Sequence, residues 1–225
     1  MNASVLKVGG SLALYPEKLR ALCSKLNEFS KKHRLILVPG GGEFADIVRC
    51  LDKRFLLSSG VSHRMAILGM DQYGLLLSDL IPNSVTVSRL SEIKYLEPNR
   101  LPVFLPSDLM LREDPLENSW NVSSDSIALY IAGQMKAANV LLLTDVDGIY
   151  TENPKENSSA KLINNLSASE LLTKSRRTSV DIFLPRLLRK TPIDCFVVNG
   201  LFPERVEAVL EGKNTICTLI KSSLF

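Results

Sequence analysis

The chain has 225 residues, of which 45% are hydrophobic and 23% charged, and its 27 basic and 24 acidic residues leave a formal charge of +3. That balance is ordinary for a soluble globular chain and excludes a nucleic-acid binder driven by bulk charge, while leaving room for a local basic pocket that takes an anionic ligand. No apolar run approaches the roughly 20 residues that cross a bilayer, so no membrane role is expected. The N-terminus lacks a secretory signal pattern, and Cys23, Cys50, Cys195 and Cys217 form no CxxC pair. A cytoplasmic protein with reduced thiols is expected.

In chain order, Ser4–Val8 reads as a buried strand ending at a glycine pair. Pro16–Lys32 has helical spacing, with Leu19, Leu22, Leu26 and Phe29 on one face. Arg34–Val38 is a second strand, broken by Pro39-Gly40-Gly41-Gly42. Glu43–Lys53 follows as a helix with Phe44, Ile47, Val48 and Leu51 inward, and a longer helix spans Ser62–Leu80. Short strands are expected near Val85–Val87 and Pro102–Leu105. Ser124–Ala138 reads as a helix, Val140–Thr144 as a fully buried strand, and polar Asp145–Ala160 as a long loop.

Ser167 begins a further helix, since it can cap with Glu170 three residues on. Asp181–Lys190 is expected to be helical, Asp194–Val198 a strand, Pro203–Leu210 a helix and Thr215–Ile220 a last strand. Unbroken aliphatic strands separated by helices argue for one α/β domain with a mostly parallel sheet covered on both faces. In such sheets ligands bind beyond the carboxyl ends of the strands.

Three strand ends carry suitable chemistry. At Lys7-Val8-Gly9-Gly10-Ser11, glycines let the backbone approach an anion, and Lys7 adds a charge that is costly to bury without purpose. Gly40-Gly41-Gly42 stands before a helix, whose N-terminus favours phosphate. The same stretch fits a loose GxGxxG/A dinucleotide pattern, but no following strand supplies the acidic residue a nicotinamide-dependent dehydrogenase needs. The third end is Leu143-Thr144-Asp145-Val146-Asp147-Gly148-Ile149-Tyr150, followed by Asn153-Pro154-Lys155. Carboxylates at a buried strand end can position a lysine or a magnesium ion.

In this order and spacing, KxGGS, GGG, TDVDGIY and NPK resemble the amino acid kinase superfamily across nearly the whole chain. The resemblance implies a three-layer α/β/α sandwich on an eight-stranded sheet. Its N-terminal part would bind the phosphoryl acceptor and its C-terminal part ATP, with Mg²⁺, and homo-oligomers are common among such proteins. It further implies that Lys7 neutralises the transferring phosphoryl group. Gly9, Gly10 and Gly41 would donate backbone N–H groups, with Ser11 beside them and Gly40 and Gly42 on the acceptor side. Asp145 would orient the catalytic cations, and Thr144, Asp147, Gly148, Tyr150, Pro154 and Lys155 would shape the nucleotide pocket. Relatives carry a second catalytic lysine late in the chain. Here Arg186 stands at that point, with Lys190 as its rival, and a planar guanidinium does not reproduce a point charge.

Two further segments bear on the acceptor. Trp120-Asn121-Val122-Ser123-Ser124-Asp125 opens a helix where relatives bind the acceptor, and its serines also suit an N-cap. His63 and Arg64 stand at a helix start, placed to hold an anion. Together with HxMAIxxMDQYG, these features are similar to a branch of the family serving methanofuran-type cofactor biosynthesis. That branch converts a phosphomonoester to a diphosphate. On this reading Arg64 and His63 hold the acceptor phosphate, and Asp125 or Asp71 meets a substrate ammonium. Kinases for UMP, isopentenyl phosphate or N-acetylglutamate, and a non-catalytic storage protein on the same fold, are the alternatives.

Overall fold

A computed structural model describes residues 3–97, 99–154, 156–173 and 178–222. Lys155, named above for the nucleotide pocket, lies outside the described residues. Eight strands form one sheet: β1 (Ser4–Val8), β2 (Leu35–Pro39), β3 (Ser84–Val87), β4 (Leu101–Phe104), β5 (Asn139–Thr144), β8 (Asn165–Ser167), β9 (Asp194–Asn199) and β10 (Thr218–Lys221). Their order is β3-β4-β2-β1-β5-β9-β10-β8, parallel except where β10 runs antiparallel to β9. Val5 pairs with Ile36 on one side and with Val140 on the other, so β1 is central and its residues bury without alternation of polarity.

The helices are α1 (Pro16–Ser30), α2 (Gly42–Phe55), α3 (Ser59–Leu80), α4 (Ser107–Glu113), α5 (Ser124–Met135), α6 (Ala168–Thr173), α7 (Leu184–Leu188) and α8 (Pro203–Leu210). Two apolar clusters lie on opposite faces of the sheet. Val5, Val140 and Leu142 belong to one, with Ile127 and Leu184; Leu6, Val8, Leu141 and Leu143 belong to the other, with Leu22 and Val206. Because side chains alternate along a strand, Lys7 shares the Val5 face, and it emerges beside α5.

Several elements depart from the sequence expectation. β6 (Ile149–Tyr150), within the stretch read as a loop, pairs antiparallel with β7 (Leu162–Ile163) just beyond it. The helix expected from Asp181 begins only at Leu184, with Phe183 at the N-cap position and Pro185 in the first turn, and the Asp181 carboxylate accepts the Leu184 amide at 2.7 Å from outside the helix. Ile47 does not point inward but is 58% exposed, since the buried stripe of α2 runs through Ala45 and Val48 against α3. The Ser167–Glu170 capping box forms as read: the Glu170 carboxylate accepts the Ser167 amide at 2.7 Å, and the Ser167 hydroxyl accepts the Glu170 amide at 3.1 Å.

Candidate active site

The carboxyl ends of β1, β2 and β5 meet at the two glycine turns. The Gly40 amide donates to the Val8 carbonyl at 2.8 Å, and the Gly9 amide donates to the Leu143 carbonyl at 2.8 Å. These bonds extend the sheet past its regular ladder and draw three strand ends together. Gly10 and Gly42 are pressed so closely that a side chain on Gly10 would overlap the Gly42 backbone. Gly42 itself has φ +54°, a left-handed conformation that glycine tolerates at no steric cost. The buried Tyr73 hydroxyl of α3 donates to the Gly9 carbonyl at 3.3 Å and fixes the turn from behind.

Lys7 reaches over this turn. A Cβ placed on Gly9 would lie 3.4 Å from Lys7 Nζ, so the ammonium stands directly at the first glycine pair. Its partner is Asp125, with Nζ 2.7 Å from Oδ1, and both side chains are below a tenth exposed. The contact is an ion pair rather than an aligned hydrogen bond, for Oδ1 accepts none. The Asp125 Oδ2 atom accepts the Asp181 amide at 3.1 Å. Ser123, not Ser124, caps α5, its hydroxyl accepting the Asp125 amide at 3.4 Å.

Two cavities open here. The first, about 350 Å³, is lined by Lys7, Gly9, Gly10, Ser11, Gly41, Gly42, Arg49, His63, Trp120, Ser123, Ser124 and Asp125, among others. The second, about 510 Å³, is lined by Val146, Gly148, Tyr150, Asn153, Pro154 and Thr178, among others. Thr144, Asp145 and Ser179 line both. The two cavities therefore adjoin, with a carboxylate and two hydroxyls at the waist between them.

Some expected residues are used differently. The Gly9 amide is engaged with Leu143, and Gly40 packs behind the turn and lines neither cavity. Asp147 lines neither cavity, accepting Asn199 Nδ2 at 2.9 Å and Arg205 at 2.6 Å. Partial burial opposes its charge, but those two donors, with a hydrogen bond from Tyr150, outweigh it and hold the carboxyl below its usual range. Arg64 is exposed on α3 and lines neither cavity. Asp71 is held instead by the amide and hydroxyl of Ser107. Arg186 is exposed and borders a separate pocket of about 160 Å³, while Lys190 is exposed and borders neither main cavity.

Three residues not singled out earlier belong to the site. Arg49 lines the first cavity, pairs with Asp46 at 2.7 Å and stacks 4.8 Å above the Trp120 ring. Trp120 is anchored at its other end, donating from Nε1 to Asp52 at 2.7 Å. Ser179 stands at the waist and donates to the Gly148 carbonyl at 3.0 Å. Asp181 lies beneath the floor. Its sequence signal was a lone carboxylate inside the apolar run Val180-Asp181-Ile182-Phe183-Leu184. Arg49 could have been found from its spacing, since Gly42, Ala45 and Arg49 share one face of α2.

Among the described residues, no group of three or more His, Cys, Asp or Glu side chains is arranged to hold a metal ion. A magnesium ion carried in on nucleotide phosphates needs only one or two protein carboxylates, and the hard oxygen donors of Asp145 and Thr144 at the waist fit that need.

The sequence profile of the Amino acid kinase family matches residues 2–190. The [5-(aminomethyl)furan-3-yl]methyl phosphate kinase of Methanocaldococcus jannaschii is 38% identical over 218 residues, covering 96% of each chain. The crystal structure of a uridylate kinase from Archaeoglobus fulgidus matches with TM-score 0.77 at 22% identity, over 98% of this chain and all of that one. An isopentenyl phosphate kinase from T. acidophilum matches with TM-score 0.65 at 22% identity, over 97% of this chain and all of that one.

Proposed function

The chain belongs to the amino acid kinase family and is a phosphotransferase, and from that premise we propose that it uses ATP to phosphorylate a small phosphomonoester. The acceptor we favour is [5-(aminomethyl)furan-3-yl]methyl phosphate, converted to its diphosphate in methanofuran-type cofactor biosynthesis, because the relative at 38% identity carries that name. The carrying observation is the pair of adjoining cavities that meet at Thr144, Asp145 and Ser179, with Lys7 lining the first. One ligand at each end brings donor and acceptor phosphates to the same waist.

The acceptor phosphate enters the first cavity, built from β1, the two glycine turns, α2 and the start of α5. The nucleotide occupies the second, built from Thr144 onward. Asp145 and Thr144 would hold a Mg²⁺ accompanying ATP, which would supply screening of the phosphate charge. Lys7, oriented by Asp125, neutralises charge on the group in transit, and the amides of Gly10 and Gly41 face the same anion. A phosphomonoester has its second pKa near 6, so its attacking oxygen is already ionised at neutral pH. No general base is required, and positioning with charge neutralisation suffices. Arg49 replaces Arg64 as the arginine of the acceptor end, and Trp120 offers a flat wall to an unsaturated ring.

The site also supports assembly as a homo-oligomer only indirectly, through apolar side chains that α3 leaves exposed at Val61, Leu68 and Leu75. Light scattering on the purified protein decides that point.

The test of function is a panel of acceptors with Mg-ATP, followed by ³¹P NMR. Formation of a diphosphate from the aminomethylfuran phosphate, with ADP, is the expected result. Turnover of UMP or isopentenyl phosphate in its place would move the assignment to those acceptors. Nucleotide binding with no turnover of any acceptor would favour a storage role.

A further inference from the structure

We propose that Asp181 is a positioning residue for phosphoryl transfer, setting the geometry of the Lys7–Asp125 pair from beneath the cleft; the inference rests on the kinase reading above. Asp181 is 2% exposed. Its Oδ2 accepts the Ser123 amide at 2.9 Å, the Ser123 hydroxyl at 2.9 Å and the Ser126 amide at 3.0 Å. Its Oδ1 accepts the Ser126 hydroxyl at 2.7 Å and the Leu184 amide at 2.7 Å. Ser126 lies in the first turn of α5 and Leu184 opens α7, so one carboxylate accepts otherwise unpaired amides at the starts of two helices.

The link to chemistry runs through the backbone of the same residue. The Asp181 amide donates to Asp125 Oδ2 at 3.1 Å. A carboxylate turns readily about its last torsion, where the wells are broad. With Oδ2 held, Oδ1 is the atom presented to Lys7 at 2.7 Å. Ser179, two residues earlier, lines both cavities and is tied to Gly148. The segment that Asp181 clamps therefore carries one contact to the Lys7–Asp125 pair and another to the waist.

Asp181→Asn keeps the shape but puts an amino group against donors that now meet an oxygen. The clamp loosens, the Asp181 amide shifts from Asp125, and the ammonium loses its fixed direction. Displacements of about 1 Å at a reacting centre can cost on the order of a hundredfold in rate. A residue that only caps helices would lower stability and leave chemistry alone.

Four proteins separate these cases: the parent, Asp181→Asn, Asp125→Asn and the double variant. Each is assayed over a range of Mg-ATP and acceptor concentrations up to saturation. Lys7 is also followed in every protein, without substrates, by its rate of reductive methylation read by mass spectrometry. We expect Asp181→Asn to lower kcat about a hundredfold with both KM values retained, and to speed labelling of Lys7. The double variant should be no slower than the worse single one, because both act through one pair. Parent kcat and parent labelling in a less stable Asp181→Asn overturn the proposal, as do losses that multiply in the double variant. Should Asp181→Asn fail to fold, Ser126→Ala removes one of the five donors; a lower kcat with faster Lys7 labelling supports the role, and parent values for both overturn it. A parent that turns over no acceptor defeats the kinase reading, and Lys7 labelling still decides whether Asp181 governs the pair.

Discussion

Gly10 and Gly42 touch backbone to backbone, and a Cβ built on Gly10 would overlap both the Cα and the amide nitrogen of Gly42. The end of β1 is thereby fixed against the start of α2, and the two glycine turns form one rigid cradle.

Gly10→Ala should destabilise the fold by about 3 kcal/mol, since the obstacle is backbone that cannot rotate away. Gly60→Ala is the matched control. A Cβ there meets nothing within 4 Å in the first turn of α3, and alanine should stabilise by roughly 0.5–1 kcal/mol. Urea midpoints of the two variants should move in opposite directions.

Lys7→Met should lower kcat by roughly 10²–10³, the range for removing one preorganised charge stabiliser. It should also cost about 3 kcal/mol of stability, because Asp125 is left buried without its cation. Adding Asp125→Asn to Lys7→Met should restore much of the stability and none of the activity. Thermal melts and single-turnover rates on the same samples check both halves.

Arg49→Ala should raise the acceptor KM about tenfold or more, as expected for one charge-assisted contact, while the ATP KM stays put. Arg64→Ala should change neither constant, because that side chain is exposed and lines neither cavity. An Arg64→Ala enzyme with a weakened acceptor KM and an unaffected Arg49→Ala enzyme would reverse the assignment.

His63 supplies a pH dependence of known sign. Burial pushes its pKa down, with the Asp114 charge opposing more weakly. The folded state then binds fewer protons than the unfolded one below the ordinary histidine pKa of about 6.5. The contribution of His63 to stability is thus constant above that pH and falls as pH drops toward the depressed folded value. The parent should lose stability relative to His63→Asn on moving from about pH 7.5 to pH 5.

Much of this was legible in the chain. Uninterrupted aliphatic runs such as Val140–Leu143 announced central parallel strands, and the glycine turns marked where they end. Lys7 was legible because nothing apolar about its neighbours excuses a charge. Arg49 showed only its place on the Gly42–Ala45 face of α2, and the partners that define it and Asp181 lie 71 and 58 positions away, Trp120 and Ser123. Neither separation has a local pattern. The short β6–β7 hairpin hid inside a polar stretch because two-residue strands are too brief for alternation to register. Arg64 misled in the other direction: a cation at a helix start expected from Ser62 matches an anion site in sequence, but α3 begins at Ser59, which puts Arg64 in the second turn and exposed to solvent.

The shared wall of Thr144, Asp145 and Ser179 has a practical consequence for inhibitor chemistry. A single tethered molecule, with a nucleoside at one end and the acceptor skeleton at the other, can span the whole trench. Once either half has docked, the other is held at high effective concentration, so the composite should bind far more tightly than its separated pieces.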